Sequence, residues 1–518
     1  MDMFVNLATP AGMSLAMLPE IVLTIVVLVL MLLAAWRHGG EEDQRLAGQV
    51  ALGGLVLTVL TLWWLWGKGA RPDGIAHMVA LDGFRYASSS ILLLGAMLSV
   101  MLSLGYVGRE RIHTPEYYVL LLIATVGMMV MAAASDLIVL FLGLEIMSVC
   151  VYVLTGINRR SVFGAEAALK YFLLGAFASG FVIYGIALIY GATGSTNLTV
   201  IDLRTSSLEL ETNGMLLAGI GLLLIGFAFK VAAVPFHMWA PDVYDGAPTP
   251  ISGFMAAAVK AAGFAALMRI TVHALGGSID AWQNAVWWLA VVTMLSGNLM
   301  ALAQRNLKRL LAYSSIGHAG YLLTAVVSGT ETGAAAFLFY AFAYTLVTFG
   351  AFGVLAAVGR DGERTVRVDD LAGLASKRPW MAFAMTVFML SLLGFPGTAG
   401  FIGKWYVLSA AVESNQWTLG VLLVVASVIS AGYYLPVVMQ MYMRPAATAE
   451  AHADSAILGA ARWVVGGATT LLLLFGLLPG GLMNLARTST EDLKPGVQFT
   501  QLPAATDQPL VSDDEEEN

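Results

Sequence analysis

The chain has 518 residues, of which 58% are hydrophobic and 12% charged, with a mean hydropathy of +0.78. That balance excludes an ordinary soluble domain and predicts an all-α polytopic membrane protein. The formal net charge of −7 comes partly from the acidic tail Asp513–Glu517, and no stretch is basic enough for nucleic acid. The single cysteine, Cys150, excludes an intrachain disulfide and any iron–sulfur cluster or cysteine zinc site built from this chain alone.

Apolar runs of about 20 residues predict spans near 17–36, 46–66, 88–108, 117–134, 137–157, 165–191 and 214–240. Further runs lie near 251–275, 282–302, 307–327, 334–358, 380–411, 417–442 and 461–483, giving about fourteen transmembrane helices. The first run follows no basic n-region and no small-residue cleavage site, so the first span is expected to stay. The outer connections 67–87 and 192–213 carry alternating segments, such as Leu198–Leu210, that suit short hairpins or surface helices. The connection 359–379 is the most charged, as a solvated loop or a partner contact would be.

Lysine and arginine fall unevenly between the two sides. One side holds sixteen: Arg37, Arg45, Arg109, Arg111, Arg159, Arg160, Arg305, Lys308, Arg309, Arg360, Arg364, Arg367, Lys377, Arg378, Arg444 and Arg462. The other holds seven: Lys68, Arg71, Arg85, Arg204, Arg269, Arg487 and Lys494. The first side is therefore expected to be cytoplasmic and both termini periplasmic. Lys170, Lys230, Lys260 and Lys404 remain inside predicted helices.

Two spans are interrupted. In Gly221–Pro250, Lys230 precedes Pro235 by five positions and His237 by seven; in Gly394–Lys404, glycines and Pro396 precede a lysine. Irregular backbone at membrane depth is tolerated where protein or water satisfies it, and an intramembrane charge marks an ion path. The breaks fall in helices 7 and 12, which run in opposite directions because five helices separate them. Paired interruptions of this kind predict two inverted five-helix repeats, helices 4–8 and 9–13. The expected organisation is a three-helix region (1–116), a first repeat (117–275), a second repeat (276–442), and a final helix with the acidic tail (443–518).

Glu145 lies nine residues after Asp136, about 13 Å into its helix at ~1.5 Å per residue. A carboxylate at that depth needs a partner, and Lys230 is the candidate, as a working pair or as a static ion pair. Lys260, among small residues in MAAAVKAAGFAA, and Lys404, after the second break, suit a proton relay, because lysine in an apolar site titrates nearer neutral pH. Lys404 beside Trp405 also fits an interfacial anchor. Lys170 suits proton uptake, snorkelling, or an i,i+4 pair with Glu166. His237 and His318 suit proton passage or plain buried hydrogen bonding, and Tyr313, Ser314, Ser315 and Tyr321 suit a hydrated path or interhelical bonds. The sequence contains no P-loop, dinucleotide fingerprint or metal-ligand cluster.

Four stretches carry a family resemblance: EAALKYFLLGAFASGFVIYGIALIYG (Glu166–Gly191), FKVAAVPFHMWAPDVYDGAPTP (Phe229–Pro250), LKRLLAYSSIGHAGY (Leu307–Tyr321) and GFPGTAGFIGKWYV (Gly394–Val407). They resemble subunit N of bacterial proton-pumping NADH:quinone oxidoreductase, respiratory complex I, over nearly the whole chain. FHMWAPDVYDGAPTP is shared with multisubunit cation/proton antiporters. ALKYFLLGAFASG, Lys404, the fourteen-span length and the lack of a lateral C-terminal helix favour subunit N. The resemblance implies Glu145 and Lys230 as an interacting pair, Lys260 as the central group, Lys404 as the group of broken helix 12, and Lys170 and His237 in support. It also implies that FMN, iron–sulfur clusters and quinone belong to partner subunits. The implied neighbours are other antiporter-like and small membrane subunits, with lipid around them, in the bacterial inner membrane. A cation/proton antiporter subunit and a non-pumping structural subunit are the alternative functions.

Overall fold

The computed structural model describes residues 4–36, 41–69, 71–72, 78–112, 114–207, 213–359, 366–445 and 459–493. The chain opens with a two-residue strand, β1 (Phe4–Val5), paired in parallel with β2 (Arg71–Pro72). Helices then follow one another: α1 (Pro10–Ala16), α2 (Leu18–Trp36), α3 (Glu41–Gly67), α4 (Gly83–Arg109), α5 (Glu116–Ala133), α6 (Leu137–Thr155), α7 (Val162–Thr193), α8 (Leu198–Ser207), α9 (Gly214–Lys230) and α10 (Ala240–Gly246). A continuous rod comes next, α11 (Thr249–Phe254), a π-turn at Met255–Val259, α12 (Lys260–Met268) and a second π-turn at Arg269–Ala274. The remaining helices are α13 (Gln283–Leu302), α14 (Leu307–Val327), α15 (Glu331–Val358), α16 (Leu374–Lys377), α17 (Pro379–Leu393), α18 (Ala399–Glu413), α19 (Trp417–Met443), α20 (Ala461–Leu477) and α21 (Gly480–Thr488).

Eleven of these stretches are long and apolar enough to cross a membrane, and α20 with α21, bent by 86°, forms a further broken candidate. α9 and α17 are shorter apolar helices, each followed by one of the expected interruptions. Helix starts follow capping chemistry: Asp82, Asp136, Ser161, Asn213, Asn306 and Thr330 each accept a backbone N–H of the following first turn. Leu198–Ser207 is a helix and not a hairpin. The end of the Leu198–Leu210 segment and the acidic tail lie outside the described residues.

Apart from half-buried His273, the rod from Thr249 to Ala274 is buried, and α14 and α15 nearly so, whereas α2, α7 and α19 turn most of their surface outward. Leu32, Phe177 and Val428 stand exposed on those outer helices, as apolar side chains do on a lipid-facing surface. The interior is thus built by α11–α12, α14 and α15. Close packing is concentrated where α5 meets α6, α7 meets α9 and α13 meets α14. A Cβ on Gly143 or Gly297 would come within 2.8 or 2.4 Å of the facing helix backbone.

Candidate functional site

Lys230, Lys260 and Lys404 are all buried in this interior, at 4%, 2% and 6% exposure. Burying an ammonium is costly unless it is well hydrogen-bonded, so the partners decide what each can do.

Lys230 ends α9, where the helix breaks through Ala232 in the left-handed region (φ 58°). The backbone groups freed there find side chains: Trp239 Nε1 donates to Phe229 O at 3.0 Å, and Val234 N donates to Thr293 Oγ1 at 2.9 Å. The Lys230 ammonium lies 3.4 Å from the Tyr152 hydroxyl and over the rings of Tyr152 (5.3 Å) and Tyr171 (5.9 Å).

Among the described residues no direct ion pair joins Lys230 to Glu145, contrary to the expectation from sequence. Tyr152, two turns after Glu145 on one face of α6, takes the place beside the ammonium. Glu145 is half-buried and instead accepts a hydrogen bond from Ser179 Oγ of α7 at 2.5 Å.

Lys260 sits where the first π-turn passes into α12, an irregularity common at functional sites. Its Nζ donates to Ser315 O at 2.7 Å and Ser315 Oγ at 2.5 Å. Lys404 of α18 reaches back across the second break. It donates to Leu393 O, one of the carbonyls freed where α17 ends in left-handed Gly394 (φ 88°), at 3.0 Å. It also donates to Ser427 Oγ at 3.2 Å and lies 4.6 Å from the centre of the Tyr321 ring. Hydroxyls, carbonyls and rings, not carboxylates, therefore receive these two ammonium groups.

Between Lys260 and Lys404 runs a set of buried polar side chains. Ser314 Oγ hydrogen-bonds Tyr434 OH, Tyr434 OH meets His318 Nε2 at 3.0 Å, and His318 Nδ1 meets Tyr340 OH at 2.5 Å. Beneath them Asn298 Nδ2 donates to Tyr321 OH at 3.0 Å, and Tyr433 OH donates to Asn298 Oδ1 at 2.8 Å. His318, Ser314, Ser315 and Tyr321 are thus brought together with the lysines. Tyr152, Tyr340, Tyr433, Tyr434, Asn298 and Ser427 were not singled out from the sequence. The Tyr433–Tyr434 pair inside an apolar run was the available signal, because a buried tyrosine hydroxyl needs a partner.

Two other expected residues stand apart. Lys170, 44% exposed, pairs with Glu166 at 2.7 Å and with Asp242 at 3.1 Å; Asp242 also holds Arg309 at 2.7 Å. His237 is half-buried in the first break, with its Nδ1 enclosed and without a hydrogen-bond partner.

The structure also buries two of the arginines counted on the outer side. Asp82 caps α4 at Gly83, five residues before the predicted span, and so carries Arg85 into the first turn. There Arg85, fully buried, pairs with Glu20 of α2 at 2.9 Å. Arg269, 1% exposed in the second π-turn, grips Asp82 through Nη1 (2.7 Å) and Nη2 (2.9 Å). Buried charge pairs lock α2, α4 and the rod together at this end.

A bundle with two interrupted helices and a line of enclosed lysines defines a polytopic membrane protein of the antiporter-like kind. The family described as NADH:quinone oxidoreductase/Mrp antiporter, TM, matches residues 134–430. NADH-quinone oxidoreductase subunit N of Gemmatimonas aurantiaca is 46% identical over 513 residues, 96% of this chain and 97% of the relative. A chain of respiratory complex I from Thermus thermophilus superposes with a TM-score of 0.76 at 38% identity, covering 90% of this chain and 99% of its own length. A chain of the Mrp complex from Dietzia sp. shares the fold, with a TM-score of 0.80 at 21% identity, covering 94% of this chain and 99% of its own. The chain belongs to the NADH-quinone oxidoreductase subunit N family, as a multi-pass membrane protein.

Proposed function

We propose that this chain moves protons across the bacterial inner membrane as a membrane-arm subunit of an NADH:quinone oxidoreductase. Quinone reduction in neighbouring subunits, which carry the FMN and iron–sulfur clusters, supplies the energy. The observation that carries the reading is the set of three enclosed lysines, each received by hydroxyls, carbonyl oxygens or rings at one of two helix breaks or a π-turn. An ammonium held without a counter-ion is poised to give up its proton, and a hydroxyl beside it can accept one proton while releasing another. A charge change arriving at half-buried Glu145 alters its hold on Lys230, which shifts the proton affinity of Lys260 and then Lys404. One pKa unit of such coupling corresponds to about 1.4 kcal/mol. Lys170, His237 and His318 support the path.

Counting each broken helix as one span gives fourteen, in a three-helix region (1–116), two inverted repeats (117–275 and 276–442) and a final section (443–518). Two features support the repeats. α6 starts at Asp136, which bridges to Asn197 after the next helix, and α14 starts at Asn306, which bridges to Arg367 after the next. Glycine-mediated contact joins α5 to α6 and α13 to α14 in the same positions. The excess of arginine and lysine on one side supports periplasmic termini. Sequence identity favours this reading over a cation/proton antiporter, whose likeness is one of fold.

The test compares the purified wild-type complex with its Lys230→Ala variant in liposomes, following NADH-driven quinone reduction and proton translocation in the same vesicles. Loss of both with assembly intact is expected. An unchanged proton-to-electron yield overturns the pumping role, and sodium or potassium exchange for protons without NADH-driven activity shifts the function to an antiporter.

A further inference from the structure

The groups that favour the charged form of Lys404 are few: Leu393 O, Ser427 Oγ and the face of the Tyr321 ring, whose centre lies 4.6 Å from Nζ. A ring face attracts an ammonium but not a neutral amine, most strongly where water is excluded. The attraction depends on where the ring stands. On its edge the Tyr321 ring meets His318, with centroids 5.3 Å apart and planes at 85°. Its far end, the hydroxyl, is held from α13.

The holder is Asn298, 1% exposed. Its Nδ2 donates to Tyr321 OH at 3.0 Å and to Met294 O, one turn back on α13, at 2.6 Å, while Oδ1 accepts from Tyr433 OH of α19 at 2.8 Å. A carbonyl oxygen donates no proton, so the atom facing Met294 O must be the amide nitrogen, and the direction of the bond to Tyr321 is fixed with it. Room for the amide comes from Gly317 of α14, where a Cβ would stand 2.9 Å from Asn298 Nδ2. More than half of α13 faces outward, so an amide turned inward from it at membrane depth is costly unless it serves the interior. The titratable side chains packed in this region are Tyr321 and His318 of α14, Tyr340 of α15, which lies against Gly403, and Tyr433 and Tyr434 of α19. On α18 itself Tyr406 is bonded to Arg487 at 3.0 Å and Glu413 ends the helix; α17 carries no titratable group, and α20 only exposed Arg462 in its first turn. Phenols stay protonated through the neutral range.

We propose that Asn298 is a positioning residue for proton transfer at Lys404: by holding the Tyr321 hydroxyl it keeps the ring face on the ammonium. The proposal rests on the proton-relay reading. Without the amide the ring swings away, the ammonium loses one of its three supports, and Lys404 takes up its proton less readily.

The test records NADH-driven proton uptake by the intact complex in liposomes from neutral to alkaline pH, each profile scaled to its own maximum. Wild type is compared with Asn298→Ala, Tyr321→Phe, the double variant and Lys404→Met. Asn298→Ala should move the alkaline limb about one pH unit toward acid, or about tenfold in proton affinity, as loss of a desolvated ring contact would. Tyr321→Phe keeps the ring and removes the hydroxyl that tethers it, so it should give the same shift, and the double variant no more than either alone. A merely structural amide would lower uptake equally at every pH and leave the scaled profile in place. An unmoved limb in Asn298→Ala, or twice the shift in the double variant, overturns the proposal. If Asn298→Ala fails to assemble, Tyr321→Phe decides: the acid shift supports the tether and an unmoved limb overturns it. Lys404→Met separates the two readings. Wild-type uptake there defeats the relay itself, whereas its loss beside an unmoved limb in Asn298→Ala defeats only the role of Asn298.

Discussion

The Asp82–Arg269 pair provides the clearest quantitative test of the fold. Arg269 is 1% exposed and makes three hydrogen bonds, two to the Asp82 carboxylate at 2.7 and 2.9 Å and one to Ala132 O at 3.2 Å; its Nε is buried without a partner. Asp82→Ala removes two of those three bonds and leaves a buried guanidinium without counter-charge, a change that costs about 3–5 kcal/mol. The same carboxylate caps α4 by accepting Arg85 N at 2.7 Å, worth about 1 kcal/mol by itself. The two terms share one side chain and do not simply add, so the expected loss is about 4 kcal/mol. Adding Arg269→Met should restore most of it, because an apolar pair of similar volume is often as stable as a buried ion pair. Burial works to raise the Asp82 pKa, but the Arg269 guanidinium and the Arg85 backbone N–H hold it below the ordinary carboxylate value. A depressed carboxylate pKa means stability present above the unfolded pKa, about 4, and lost as pH falls through the folded value. Urea unfolding of the detergent-solubilised subunit, with thermal inactivation of the complex alongside, measures both effects. A cost below about 1 kcal/mol for Asp82→Ala, or no recovery in the double variant, would refute the reasoning.

Two further outcomes follow from the site geometry. A Cβ on Gly175 would stand 2.0 Å from the Tyr152 hydroxyl, so Gly175→Ala must push Tyr152 off Lys230; a reduced proton yield in an assembled complex is expected, and wild-type pumping would remove Tyr152 from the Lys230 site. Lys404→Met keeps the volume but leaves Leu393 O without its donor, so it should abolish proton movement and cost about 1–3 kcal/mol of stability by denaturant titration. Loss of pumping with no stability change would show that the carbonyl is satisfied another way.

The positions of the spans were legible because hydrophobic length and capping residues act locally. Asp136, Ser161 and Asn306 start their helices by accepting nearby backbone N–H groups, and the two interruptions announce themselves by proline, glycine and lysine in apolar sequence. Burial of Lys230, Lys260 and Lys404 was legible for the same reason. What surrounds them was not, because an ammonium can be received by a carboxylate, a hydroxyl, a carbonyl or a ring, and helix spacing does not choose among these. Glu145 looked like the partner of Lys230 because it was a carboxylate deep inside a predicted helix two spans away; Tyr152, on the same face, fills the place instead. Arg85 and Arg269 were misread in the opposite sense. Each stands near the end of an apolar run, where a basic residue ordinarily reaches water, and only the tertiary approach of Glu20 and Asp82 makes burial tolerable. Charges with buried acid partners lock the helix ends, while the lysines without them sit at breaks and a π-turn. In one chain, the same cost of enclosing charge is offset by carboxylates at the rim and by hydroxyls, carbonyls and rings at the centre.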